Sequence, residues 1–167
     1  MWERFSEEGR RAIGFAQEEA GARVVEGAEE EGEVLITSAH LLLGVIREPN
    51  EILASVFVDA GVEADQIHKA IEPLVYLSPV RANAFRLSPD GVDSIDRTML
   101  EALMIGNVRV GPEHLFLGLV GDPSERVGQV LRSLGFDLKR SRSVVHRLQP
   151  KSFKEWFRRY RLRTWGR

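Results

Sequence analysis

The chain has 167 residues, no cysteine, 43% hydrophobic and 29% charged residues, and a formal net charge of −2. These values describe a globular protein of one domain or two small repeats, and they exclude disulfides and thiolate metal sites. The charged start, Met1-Trp2-Glu3-Arg4-Phe5-Ser6-Glu7-Glu8, has no apolar signal segment, and no apolar run approaches a membrane span, so a cytoplasmic protein is expected.

Taken in chain order, Phe5-Ser6 followed by glutamates is a capping signal for a helix through Ala20, with Ala12, Ile13, Phe15, Ala16 and Ala20 giving its apolar face. Gly21–Glu33 carries five glutamates and reads as a solvated loop, with an acidic docking site as the alternative. Ser38, a candidate cap, opens a short buried helix containing His40-Leu41-Leu42-Leu43-Gly44. A helix over Ile52–Ala60 stops at Gly61, and another spans Asp65–Leu74. Ser78–Leu87, with Pro79 and Asn83, reads as a linker. Ser88-Pro89 caps the next helix, whose Val92, Ile95, Met99, Leu100 and Leu103 recur at helical spacing. A second short helix carries His114-Leu115-Phe116-Leu117-Gly118. Arg126–Leu134, stopped by Gly135, and Lys139–Leu148 complete the series. Two-residue alternation is nearly absent, and the expected class is all-α.

The series is a duplication. His40-Leu41-x-Leu43-Gly44 aligns with His114-Leu115-x-Leu117-Gly118 at an offset of 74, which also carries Gly61 onto Gly135, Leu53 onto Val127 and Val56 onto Val130. Upstream, Phe5-Ser6-x-x-Gly9 aligns with Leu87-Ser88-x-x-Gly91 at an offset of 82, so the first copy holds about eight extra residues. The expected organisation is a domain over residues 1–150, with repeats over about 2–77 and 86–149, and a tail over 151–167.

That tail has seven basic residues against one acid, a net of +6, which leaves residues 1–150 at −8. Phe153, Trp156, Phe157 and Tyr160 fall at i, i+3, i+4 and i+7, one face of an amphipathic helix, with Arg158 and Arg161 on another. Three readings stay open, in this order: packing on the domain's own surface, docking to a protein partner, or contact with a membrane or nucleic acid. The acidic body argues against nucleic acid.

Catalytic signals are weak. His40, His68, His114 and His146 lack metal-ligand spacing, and the serines lack a nucleophile-elbow pattern. His40 and His114 read as structural residues, hydrogen-bonded within each repeat. No metal or cofactor is expected, and an enzyme is not.

The opening Trp2-Glu3-Arg4-Phe5-Ser6-Glu7-Glu8, Ala16-Gln17-Glu18-Glu19-Ala20, His40 to Glu48 and Gly111 to Leu119 together resemble the Clp N-terminal (Clp R) repeat family, over about residues 2–148. The first copy is most similar to the ClpC type. The resemblance implies a pseudo-twofold, duplicated four-helix repeat of about eight helices, to which the tail adds an amphipathic helix. It also implies a module that recruits adaptors or substrates to a Clp unfoldase and protease core. Gly-x-x-x-x-Gly-Lys-Ser/Thr is absent, so no ATP binding is expected and a separate accessory protein is the favoured form. A stand-alone peptide or small-ligand binder is the alternative. The resemblance further implies a phosphoarginine pocket in each repeat, from a hydroxyl opening the first helix and a glutamate before the histidine. The second copy keeps Ser88 and Glu113; the first keeps Ser6 but has Ala39 in place of the glutamate. Glu113 has a plainer reading beside this one, as an acid in the first turn of a helix, favourable to its dipole.

Overall fold

The computed structural model describes residues 2–122 and 125–149. After a 3-10 turn over Trp2–Arg4, the first copy runs α1 (Glu7–Ala22), β1 (Glu31–Ile36), α2 (Ser38–Arg47), α3 (Glu51–Ala60) and α4 (Ala64–Ile71). A 3-10 turn over Glu72–Leu74 leads to β2 (Arg81–Leu87), and the second copy follows as α5 (Pro89–Ile105), α6 (Pro112–Val120), α7 (Arg126–Ser133) and α8 (Leu138–Leu148). The fold is the all-α double repeat expected, with one small sheet added.

At its centre lie α2 and α6. Every residue from Ser38 to Ile46 and from Pro112 to Val120 is buried. Helices that are apolar all round can be stable only inside a core, and these two belong to one continuous core built from both copies. Each is held against the first helix of its own copy by a glycine. A Cβ at Gly44 would overlap the Ala12 carbonyl and the Ala16 backbone, and one at Gly118 would overlap the Thr98 hydroxyl and backbone. The repeated glycine is thus explained by close helix approach. Helix caps follow the same economy: Ser6 accepts from Gly9 N–H (3.0 Å) and Ser88 from Gly91 N–H (3.3 Å).

Between the copies, Phe57 stacks edge-on against Phe116 and Phe136, and the latter two against each other, with centroids 5.3, 5.9 and 4.9 Å apart. Arg140 on α8 reaches Asp59 on α3 at 2.6 Å.

Four local expectations are revised. The linker Ser78–Leu87 contains β2, and the end of the acidic loop enters β1; the two pair in parallel from Glu31↔Arg81 to Ile36↔Leu87, with an irregularity at Gly32/Glu33. Such short strands carry little alternation because one of them is exposed along nearly its whole length. Thr37, not Ser38, caps α2, with His40 closing the capping box. The helix expected over Asp65–Leu74 ends at Ile71 and continues only as a 3-10 turn. On α5 the core stripe is Ile95, Thr98, Ala102 and Ile105, whereas Val92, Leu100 and Leu103 face outward. The small polar Thr98 takes a core position because Gly118 leaves room for its hydroxyl alone, which donates to Ser94 O at 2.7 Å.

Gly44→Ala and Gly118→Ala are each expected to lower unfolding free energy by about 1–3 kcal/mol through overpacking. Gly14→Ala, where an added Cβ meets open space, should raise it by about 0.5–1 kcal/mol. Urea denaturation of the three variants checks both signs.

Candidate functional site

Two junctions bring the residues singled out in the sequence into contact, and they do so crosswise. Ser6 N–H donates to Val110 O (2.9 Å) and Val110 N–H to Arg4 O (2.8 Å), so the start of α1 lies against the segment leading into α6. Ser88 N–H donates to Ile36 O (3.0 Å), so the start of α5 lies against the segment leading into α2. The offsets of 82 and 74 carry one pairing onto the other: the parallel bridge Phe5↔Val110 is the counterpart of Leu87↔Ile36. Ser6 therefore shares a junction with the α6 segment that bears Glu113, and Ser88 shares one with the α2 segment that bears Ala39. Ser88 and Glu113 make their hydrogen bonds at different junctions. A repeat alignment pairs residues within a copy and has no means of showing this exchange.

At the Ser88 junction the space is filled from within. Asp90 Oδ1 lies 2.6 Å from Ser88 Oγ, and Asp90 Oδ2 accepts from Ser38 N–H at 2.8 Å, at the amino end of α2. Burial works against the charge, but the hydrogen bonds from Ser88 and Ser38 outweigh it and hold the Asp90 carboxyl below its usual range. Ser38 Oγ in turn donates to Glu125 Oε1 (3.0 Å). At the other junction Glu113 is almost wholly buried. Its carboxylate folds over Gly111, where a side chain would otherwise stand, and accepts from Asn50 Nδ2 of the opposite copy at 2.7 Å. Asn50 also lines a polar groove of about 490 Å³ with Glu8, Arg11, Glu48 and Glu51.

The two histidines occupy equivalent places. His40 Nδ1 accepts from Thr37 N–H (3.1 Å) and His114 Nδ1 from Gly111 N–H (3.0 Å). Each ring therefore carries its proton on Nε2. Asn107 lies 2.8 Å from His114 Nε2, while the buried His40 Nε2 turns toward the Tyr76 backbone without a close hydrogen bond. Burial pushes the His40 pKa down to about 4 and lowers that of His114 as well. The 3.2 Å approach of Glu113 to His114 is thus a contact with a neutral ring. Among the described residues, no group of three His, Asp or Glu is placed to hold a metal ion.

A third feature was not singled out in the sequence. Between α1, β2 and the start of α5 runs a mainly apolar groove of about 670 Å³. Ile13 and Ile36 lie buried at its base, Trp2, Phe85 and Val92 stand exposed along it, and Arg10 and Arg86 flank it. Glu33 holds Arg86 at 2.7 Å. The available signal was the pair of large apolar residues Trp2 and Phe85, which no helical core stripe requires; Val92 joins them although its spacing placed it with the stripe of α5. The tail residues Phe153, Trp156, Phe157, Arg158, Tyr160 and Arg161 lie outside the described residues.

The Clp repeat (R) N-terminal domain matches residues 4–134. The chain belongs to this family. It is 31% identical over 148 residues to the "negative regulator of genetic competence ClpC/MecB" of Bacillus subtilis, and 29% identical over 148 residues to the chaperone protein ClpB of Oceanobacillus iheyensis. In both comparisons 89% of this chain is covered and 17% of the relative, so the chain spans about a sixth of the length of the curated relatives it matches. The fold is also similar to the N-terminal domain of the chaperone ClpD from Arabidopsis thaliana (TM-score 0.60, 22% identity, 89% of this chain and 100% of that one). The N-domain of ClpV from Vibrio cholerae gives a TM-score of 0.58 at 18% identity, covering 81% of each chain. No helix among the described residues is long and apolar enough to cross a membrane.

Because the folded His40 resists protonation down to pH about 4 while the unfolded ring titrates near 6.5, its contribution to stability is complete above pH 6.5. That contribution is lost as pH falls toward 4, by about 3 kcal/mol. Urea unfolding across this range should give a shallower pH dependence for His40→Gln than for the unaltered protein, with His40→Gln less stable at neutral pH through loss of the cap.

Proposed function

We propose that this chain is a non-catalytic protein-binding module that serves a Clp unfoldase and protease as an accessory or adaptor-like factor in the cytoplasm. The observation that carries the reading is the apolar groove formed where α1 of one copy meets β2 and α5, with aromatic side chains exposed along it and arginines at its edge. Trp2 and Phe85 present large, stiff apolar surface, the type of side chain that dominates binding energy at protein interfaces. Arg10 favours a segment in which apolar residues are followed by acidic ones. Membership of the Clp N-terminal family supports the choice of a Clp partner.

Purified Clp unfoldase and protease core from the same cell provide the test. Binding to one of them is expected, with Trp2→Ala and Phe85→Ser each weakening it by about tenfold or more, while Val58→Ser on α3 leaves it unchanged. Titration by fluorescence anisotropy reads the affinities. Failure of both components to bind would overturn the accessory role, and groove-dependent capture of a peptide without either would favour a binder uncoupled from proteolysis.

A narrower ligand, phosphoarginine, is favoured by one observation, the crossed pairing of Ser6 with the α6 segment that bears the buried Glu113. On this reading calorimetric titration shows binding that Ser6→Ala and Glu113→Gln abolish, and that Ser88→Ala leaves intact because Asp90 already fills the other junction. Heat of binding equal in all four proteins would count against it.

A further inference from the structure

Strand β2 presents an open edge. Among the described residues the sheet has two strands, and no third lies beside β2. In a parallel pair, alternate residues turn their backbone groups toward the partner strand and the residues between turn theirs away. Ser88 N–H donates to Ile36 O at 3.0 Å, with Leu87 opposite Ile36 and Phe85 opposite Val34. Arg86, two residues before Ser88, therefore bonds to β1. The N–H groups of Phe85 and Leu87 and the Phe85 carbonyl point outward, and they meet no partner among the described residues. Solvent reaches them, since every residue from Arg81 to Arg86 is exposed. Unpaired strand backbone at a surface is a template for another extended chain.

What lies beside the edge selects the side chains of that chain. The apolar groove runs along β2, lined by Phe85, Arg86 and Leu87 of the strand and by Ile13, Gly14 and Gln17 of α1. Phe85 turns its ring onto α1, against Gly21. A strand added next to β2 sends alternate side chains to that same face. Gly14 leaves room for them, because a Cβ there would meet nothing within 4 Å. Arg10, one turn from Ile13, is exposed at the groove and has no ion-pair partner among the described residues, so it complements an acid. The irregularity at Gly32/Glu33 confines the regular ladder to Ala84–Leu87, which sets the short length over which an added chain is held.

Given the groove as the binding surface of the module, we propose that it takes its partner as an added strand. An extended segment with apolar residues at alternate positions, and an acid for Arg10, pairs with the outward backbone of Phe85 and Leu87. Main-chain hydrogen bonds then supply affinity, and the groove supplies choice among side chains.

A labelled peptide, acetyl-Thr-Leu-Thr-Leu-Thr-Asp-amide, provides the probe for the full-length protein. It is compared with two versions of identical side chains, one N-methylated on both leucine amides and the other on the two threonine amides that follow the leucines. Only one alternate set of amides faces β2, so one version should bind about tenfold or more weaker and the other within about twofold of the parent. Saturation with the unmethylated peptide should slow amide exchange at Phe85 and Leu87 about tenfold. Equal effects of the two methylation patterns, or no binding at millimolar peptide, would overturn strand addition. Slowed exchange at these amides in concentrated protein without peptide would also overturn it and assign the edge to a second copy. A Clp component that binds through Trp2 and Phe85 while both amides exchange as in the free protein would overturn it and leave the accessory role standing. Strand-like peptide binding without any Clp component binding would support it and remove that role.

Discussion

Two helices with no solvent-facing side, α2 and α6, impose the order on which the rest of this structure depends. Each must be enclosed by its own first helix, by the other copy and by the short helices that follow. Gly44 and Gly118 make the closest of these contacts possible, since each sits where a single additional carbon would strike a neighbouring backbone. Enclosure also governs the histidines. Residues this deep cannot carry an unpaired charge cheaply, so His40 and His114 act as neutral acceptors for backbone N–H groups at the helix starts.

The crossed junctions follow from the same enclosure. With α2 and α6 side by side at the centre, the segment entering each is adjacent to the first helix of the opposite copy, and backbone hydrogen bonds fasten it there. Neither copy therefore owns a complete junction. Asn50 of the first copy satisfies Glu113 of the second, and Asp90 of the second occupies the amino end of α2 in the first. This interdependence makes the pair of repeats a single unit, with the apolar groove open on its outer side.

The copies have diverged where they meet solvent. The eight extra residues of the first copy lie between α1 and α2, where the chain forms β1 and pairs with β2 along its length. In the second copy the corresponding contact shrinks to the Phe5↔Val110 bridge. Exposed apolar surface arises from these departures: Phe85 belongs to the added strand, and Leu100, Leu103 and Met104 of α5 stand exposed in the second copy.

By itself the sequence determined the duplication, the helices and most of their ends, because these depend on local signals: Ser6 and Ser88 as caps, Pro89 in a first turn, Gly61 at a left-handed stop, and apolar residues at helical spacing. It also determined the family resemblance and the structural character of His40 and His114, which share one repeat position. Only the tertiary structure decided which hydroxyl faces which helix start, since repeat alignment is silent about exchange across a pseudo-twofold seam. It likewise decided that Glu31–Ile36 and Arg81–Leu87 are strands, as their pairing joins segments fifty residues apart and leaves little trace in local pattern. And it separated Ile95 from Leu100 and Leu103 on α5, because periodicity names an apolar helix but not the direction in which the core lies.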